Sequence, residues 1–256
     1  MRAKYYHRCV VAGLIALLSI PVLATLLYSF SQHWGATVLP DGLTLDWYVT
    51  LWQDPRFLTA FGHSLLISVA TLLFSTLIIV PAAFVVFYYF PKLDRWMGIL
   101  ILVQFAVPPV VSSVGLLQIY ADGPLPLIGT PWVLIGCYFT IALPFMYRAL
   151  ANGLQGLNVR DLMDAAHLLG ASTFSAFLRV ILPNIRKGLM ASLFLSFSFL
   201  LGEFVFANML VGNRYETLSV YLYSMRSTSG HFTSAVVMSY FMFTLGVTWI
   251  ATRLSR

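Results

Sequence analysis

Six apolar runs divide the chain, and a bilayer leaves such runs one way to fold. Lipid offers no hydrogen bonds, so a crossing segment must satisfy its own backbone, as an α-helix does. A crossing takes roughly 20 residues. The runs at 9–30, 62–88, 96–120, 132–147, 188–210 and 232–251 predict an all-α membrane protein with six transmembrane helices in a single domain, 1–256. Composition agrees: 9% of residues are charged and mean hydropathy is +0.85, against about 25% charged in soluble domains. A cleaved signal peptide is the rival for the first run, but its apolar core is usually about 7–15 residues.

Basic residues set the orientation. Arg2, Lys4, Arg8, Lys92, Arg95, Arg148, Arg160, Arg179, Arg186, Lys187, Arg253 and Arg256 fall on one side of the predicted spans, and Arg56, Arg214 and Arg226 on the other. The richer side is the cytoplasm by the positive-inside rule. Both termini and the loop 148–187 are therefore expected inside. The net charge of +6 reflects this orientation rather than a nucleic-acid face. Cys9 and Cys137 lie far apart in apolar runs, which suggests neither a disulfide nor a zinc site.

Several spans carry polar or proline marks. Ser64, Ser68, Thr71 and Ser75 share one face of the second, for helix contact or for a pore lining. On a straight third span Gln104, Pro108, Val111, Gly115 and Gln118 share a face, and Pro108-Pro109 must disturb its hydrogen-bond ladder. Pro81 is expected to kink the second span near its end, and Pro144 to interrupt the fourth. In the fifth, Ser192, Ser196, Phe199, Glu203 and Phe206 recur at helical spacing. Glu203 is the acid expected within the apolar zone, where acids face a bundle interior or watery path. Its readings are a pathway or gate residue, weakly favouring a cationic or zwitterionic cargo, and a packing carboxylate near the outer boundary that bonds a neighbouring helix or sits at the permease interface. Ser68, Gln104, Ser196 and Glu203 are the candidate path residues. Trp34, Trp47, Tyr48 and Trp52 belong at headgroup level. The turn-rich segment Asp122 to Pro131 lies outside. Leu218, Tyr221, Leu222 and Met225 mark a short interfacial helix.

The loop DLMDAAHLLGASTFSAFLRVILPNIRK, Asp161 to Lys187, has its own helix signals. Asn158 can cap a helix that Asp161 suits by charge, with Leu162, Ala165, Ala166 and Leu169 at helical spacing. Gly170 supplies a left-handed stop. Ser172 can cap a second helix, and Pro183 is expected to end or kink it. Asp164-Ala165-Ala166, Gly170 and Val180-x-Leu182-Pro183 resemble the EAA loop of binding-protein-dependent ABC importer permeases, whose pattern is Glu-Ala-Ala, Gly and Ile-x-Leu-Pro at this spacing. Asp164 departs from it, with a carboxylate one methylene shorter than the usual Glu.

The resemblance implies a type I importer permease in a bacterial cytoplasmic (inner) membrane. It also implies its partners: a second permease subunit, identical or homologous, two cytoplasmic ATPase subunits that hold the ATP and Mg, and an external solute-binding protein. Asp164 would make the polar contact with the ATPase. Ala165 and Ala166 would allow close approach, Gly170 would set the turn, and Leu182 and Pro183 would fix the second helix. The stretch LGEFVFANMLVGNRYETLSVYLYSM is similar to permeases of the spermidine/putrescine and aminoalkylphosphonate branch, with ferric iron importers nearby.

The chain has no phosphate-binding G-x-x-x-x-G-K-[ST] loop, no HExxH and no G-x-S-x-G. Neither an enzyme nor a cofactor of its own is expected. His7, His33, His63, His167 and His231 are scattered, and no repeat or second intramembrane acid points to the alternative, an ion-coupled secondary transporter.

Overall fold

The computed structural model describes residues 2–37, 39–121 and 125–254. Arg256 and the Asp122–Pro124 start of the turn-rich segment lie outside the described residues, as do the side chains of Arg2 and Lys4. The described residues are helical apart from loops and one isolated bridge, Ser31 with Leu43. The helices are α1 (Arg2–Phe30), α2 (Asp46–Gln53), α3 (Pro55–Tyr89), α4 (Leu93–Ala106), α5 (Pro109–Tyr120), α6 (Pro131–Gln155), α7 (Val159–Leu168), α8 (Thr173–Ala176), α9 (Leu182–Leu201), α10 (Leu218–Met225) and α11 (Gly230–Leu254). Five helical stretches are long and apolar enough to cross a membrane, and the pair α4–α5 makes a sixth when taken as one bent span.

Two compact units emerge, Met1–Leu58 with Tyr221–Leu245, and Thr59–Val220 with Gly246–Arg256. In the first, the loop after α1 folds back on itself. The Gln32 N–H donates to the Gly42 carbonyl at 2.9 Å and the Thr44 N–H to Phe30 at 2.7 Å. His231 stacks on Tyr28 at 4.0 Å and donates from Nδ1 to the Tyr28 carbonyl. Trp47 donates to the Ser31 carbonyl, so this aromatic ties down a loop as well as suiting the interface.

The second unit holds two apolar clusters. One gathers Ile79, Ala83 and Phe84 of α3, Ile101 of α4, Met146, Tyr147, Leu150 and Leu154 of α6, Met163 and Ala166 of α7, and Ile181 and Ile185 farther on. The other gathers Ile67, Leu134, Tyr138, Leu200, Leu210 and Val220. α6 and α9 approach closely where Gly188 faces the Ala149 carbonyl; a Cβ there would sit 3.2 Å from that oxygen. Small residues allow such backbone contact between membrane helices.

Several expectations change. The third span is no single straight helix: α4 and α5 meet at 89° across Val107-Pro108. Gln104 therefore shares no face with Val111, Gly115 and Gln118. Pro144 does not interrupt α6, which runs on through eight residues assigned to the loop. Neighbouring helices can absorb a membrane proline, and Pro144 is buried within its unit. Pro81 likewise lies inside an unbroken α3. Pro183 does not end its helix, because Thr173–Leu201 forms one candidate span. A π-helical turn, Phe177–Ile181, precedes the proline, and the Asn184 side chain donates to the Val180 carbonyl at 2.7 Å. The wider turn makes room for the ring, and the amide bonds a carbonyl beside it.

The fifth span stops at Leu201 rather than running to 210. Glu203 and Phe206 lie beyond this break, in a separate turn that ends in the π-helical stretch Ala207–Val211. The short helix expected here is present as α10, with Leu218 and Tyr221 buried.

Candidate functional site

α7 starts at Asn158, whose side chain makes no cap bond to the backbone; its amide donates to the Asp161 carboxylate. Asp161 stands in the first turn, where negative charge suits the helix end. The buried stripe is Val159, Met163 and Ala166, at i, i+4 and i+7, while Ala165 and Leu169 are exposed. The packed face is therefore rotated from the one that Leu162, Ala165, Ala166 and Leu169 suggest, because Met163 is the side chain that enters the cluster.

Gly170 closes the helix as expected. Its φ is +84°. The Gly170 N–H donates to the His167 carbonyl at 2.9 Å and the Ala171 N–H to Ala166 at 3.0 Å. These are the two bonds of a Schellman stop. A Cβ at Gly170 would touch nothing within 4 Å, so substitution meets only backbone strain. Gly170→Ala is expected to cost about 1 kcal/mol, read as a fall of a few degrees in thermal unfolding of the purified protein, with a larger loss for Gly170→Val. Ser172 caps the next helix by accepting the Ser175 N–H. His167 Nε2 lies 3.2 Å from the Thr173 hydroxyl, linking the two arms of the elbow.

The motif residues divide by face. Asp164 and Ala165 are exposed and Ala166 is buried at 7%. Leu182 is half-buried against the cluster, and Pro183 is exposed. Motif reading missed the apolar tip: Leu168 is 90% exposed, Leu169 88% and Phe174 71%. The available signal was a Leu-Leu pair directly before the helix-stop glycine, which a packed helix end seldom presents to water.

The candidate path residues do not meet as one site. Ser68 and Ser196 are fully buried, and among the described residues neither hydroxyl has a hydrogen-bond partner; Thr71 and Ser75 are the same. Ser64, on their face, accepts the Leu218 N–H at 2.8 Å. The Gln104 side-chain oxygen is buried without a partner. Glu203 differs, since its two oxygens accept the N–H groups of Phe206 at 2.9 Å and Ala207 at 3.1 Å. It caps the turn that follows the break, with the Tyr138 hydroxyl beside it. No hydrogen bond joins any two of Ser68, Gln104, Ser196 and Glu203 among the described residues. No three His, Cys, Asp or Glu side chains gather as metal ligands there either.

Known proteins share both fold and sequence. In the solved bacterial alginate ABC transporter in complex with an alginate pentasaccharide-bound periplasmic protein, one chain matches with TM-score 0.77 at 18% identity, covering 100% of this chain and 95% of that one. A chain of the MetNI methionine ABC transporter, in an inward-facing conformation, matches with TM-score 0.61 at 17% identity, covering 84% and 98%. These show the fold. In sequence, the chain is 30% identical over 206 residues to a Salmonella typhimurium protein named as a 2-aminoethylphosphonate transport system permease, PhnV, covering 80% of this chain and 77% of that one. It is 30% identical over 217 residues to the Escherichia coli spermidine/putrescine transport system permease PotC, covering 83% and 79%. The family model described as binding-protein-dependent transport system inner membrane component matches residues 76–256. The chain thus belongs to that family, as a multi-pass permease of an ABC importer.

Proposed function

We propose that the Asp161–Lys187 elbow is the contact through which a cytoplasmic ATPase drives this permease, and that the cargo is a small amine-bearing solute, an aminoalkylphosphonate or a polyamine. One observation carries the coupling role. Leu168, Leu169 and Phe174 stand in the open on a loop packed from behind by Met163 and Ala166. An apolar patch with a polar rim marks an interaction surface, and Asp164 supplies rim charge. Gly170 fixes the angle between the two arms, and Leu182 seats the second arm on the cluster.

Two ATPases would bring ATP and Mg, a second permease would complete the path, and an external binding protein would deliver cargo. The enclosed hydroxyls of Ser68 and Ser196 and the side-chain oxygen of Gln104, without partners among the described residues, supply polar groups that helix movement would turn toward the path. The cargo assignment rests on the two curated relatives. Glu203 adds nothing to it, because its oxygens already hold backbone N–H groups.

The test is uptake into proteoliposomes by the complete transporter. Labelled 2-aminoethylphosphonate or putrescine is expected to accumulate at least about tenfold above background only with enclosed ATP and the binding protein present. Accumulation driven by an ion gradient alone would overturn the reading.

A further inference from the structure

α4 is thinly packed within its unit. Ile101 is its one buried residue, while Trp96, Leu100, Leu102, Val103 and Phe105 are exposed. Its far end opens onto the 89° bend at Val107-Pro108. Two fasteners hold it to the body. One is apolar, Ile101 with Met97 against the loop-side cluster. The other is polar and sits in its first turn. Asp94 Oδ1 accepts the Tyr147 hydroxyl at 3.0 Å, and Oδ2 accepts the Gln155 amide at 3.4 Å.

Both donors belong to α6, and Tyr147 is 1% exposed in the same cluster as Met163 and Ala166 of α7. α6 continues without interruption to Gln155, and only a short turn, Gly156–Asn158, separates it from α7. α6 and α7 are thus packed as one piece by Leu154, Val159 and Met163. Displacement of the elbow would carry α6 with it, and the Asp94 bonds would draw the start of α4 after it. The other end of α4 is free to turn at the proline break. Asp94 is the one acid on α4, and a carboxylate accepting two donors makes a directional link, whereas an apolar contact can slide.

We infer that Asp94 is a positioning residue for transport, which passes movement of the elbow through Tyr147 and Gln155 to α4 and the bend beside Gln104. This rests on the elbow's proposed coupling role. Asp94 lies on α4, outside the elbow, so its loss should separate hydrolysis from movement.

The experiment uses the complete transporter in proteoliposomes. Asp94→Ala is expected to keep ATP hydrolysis within about twofold while cargo moved per ATP falls about tenfold. Tyr147→Phe should fall about threefold, and Asp94→Ala with Tyr147→Phe no further than Asp94→Ala alone, because the two remove one shared link. Asp94→Asn, which retains acceptor oxygen, should recover most of the loss. Equal declines in hydrolysis and uptake, additive losses, or unchanged stoichiometry would each overturn the inference. If Asp94→Ala does not insert, the comparison of Tyr147→Phe with Gln155→Ala decides by the same measure. ATPase retention by variants of the elbow tip is scored in parallel. A tip variant that sheds the ATPase beside an Asp94 variant that transports normally rejects only the link. A tip variant that retains it rejects the coupling reading.

Discussion

Replacing Leu168 and Leu169 together by aspartate is expected to strip the ATPase from the transporter and abolish uptake, while the chain still inserts and folds. The fold should tolerate the change because these side chains are 90% and 88% exposed and pack against nothing that would be lost. Surface substitutions of that kind usually shift stability by about 0.5 kcal/mol or less. An apolar groove on a partner would register the change very differently. Burying a leucine contributes about 1.5–3 kcal/mol, and a carboxylate forced into the same place adds a desolvation cost. Loss of even one such contact weakens binding about tenfold, and loss of both at least about 100-fold. The measurement is co-elution of the ATPase from detergent at graded concentrations. Leu168→Met is the control that should bind as the parent does. Undiminished co-elution of the double aspartate variant would place the contact elsewhere.

Features legible in the sequence were those set by local chemistry. Gly170 stops a helix because the left-handed backbone at +84° costs glycine nothing, and Ser172 caps one because its hydroxyl reaches a nearby N–H. The apolar runs announced the spans because lipid leaves the backbone no other partner. The proline predictions fared unevenly for one reason: a proline's effect depends on what surrounds it. Pro108-Pro109 bends the chain where α4 is thinly packed. Pro144 lies in α6, buried among its neighbours, and Pro183 follows a π-helical turn, so both are carried without a break.

Glu203 kept helical spacing with Ser196 and Phe199, and spacing cannot show that the helix has already stopped at Leu201. Its real partners are backbone groups three and four residues ahead, which any helix start exposes and no side-chain pattern reveals. The Asp94 link was invisible for a different reason. Its donors lie 53 and 61 residues away, and only the packing of α4 on α6 brings them together.

The two readings of Glu203 now predict different results. If the carboxylate served cargo, Glu203→Gln would lower uptake of a cationic solute and leave stability alone. As a cap it should do the reverse. Glu203→Ala leaves the N–H groups of the buried residues Phe206 and Ala207 without their acceptors. Hydrogen bonds to a charged group contribute about 1.5–3 kcal/mol each, so the expected loss for Ala is about 3 kcal/mol or more. Gln keeps one carbonyl oxygen and should lose roughly half as much. Ser219 donates to the Glu203 backbone carbonyl and is indifferent to either change, so the damage should fall on the turn 205–211 and on the Tyr138 hydroxyl beside the carboxylate. Thermal unfolding of the purified transporter gives the first quantity, and uptake per folded complex at saturating cargo gives the second. A stability order of Glu above Gln above Ala, with uptake per folded complex nearly constant, is the signature of a cap. Unchanged stability with uptake reduced for cations alone would return Glu203 to the path.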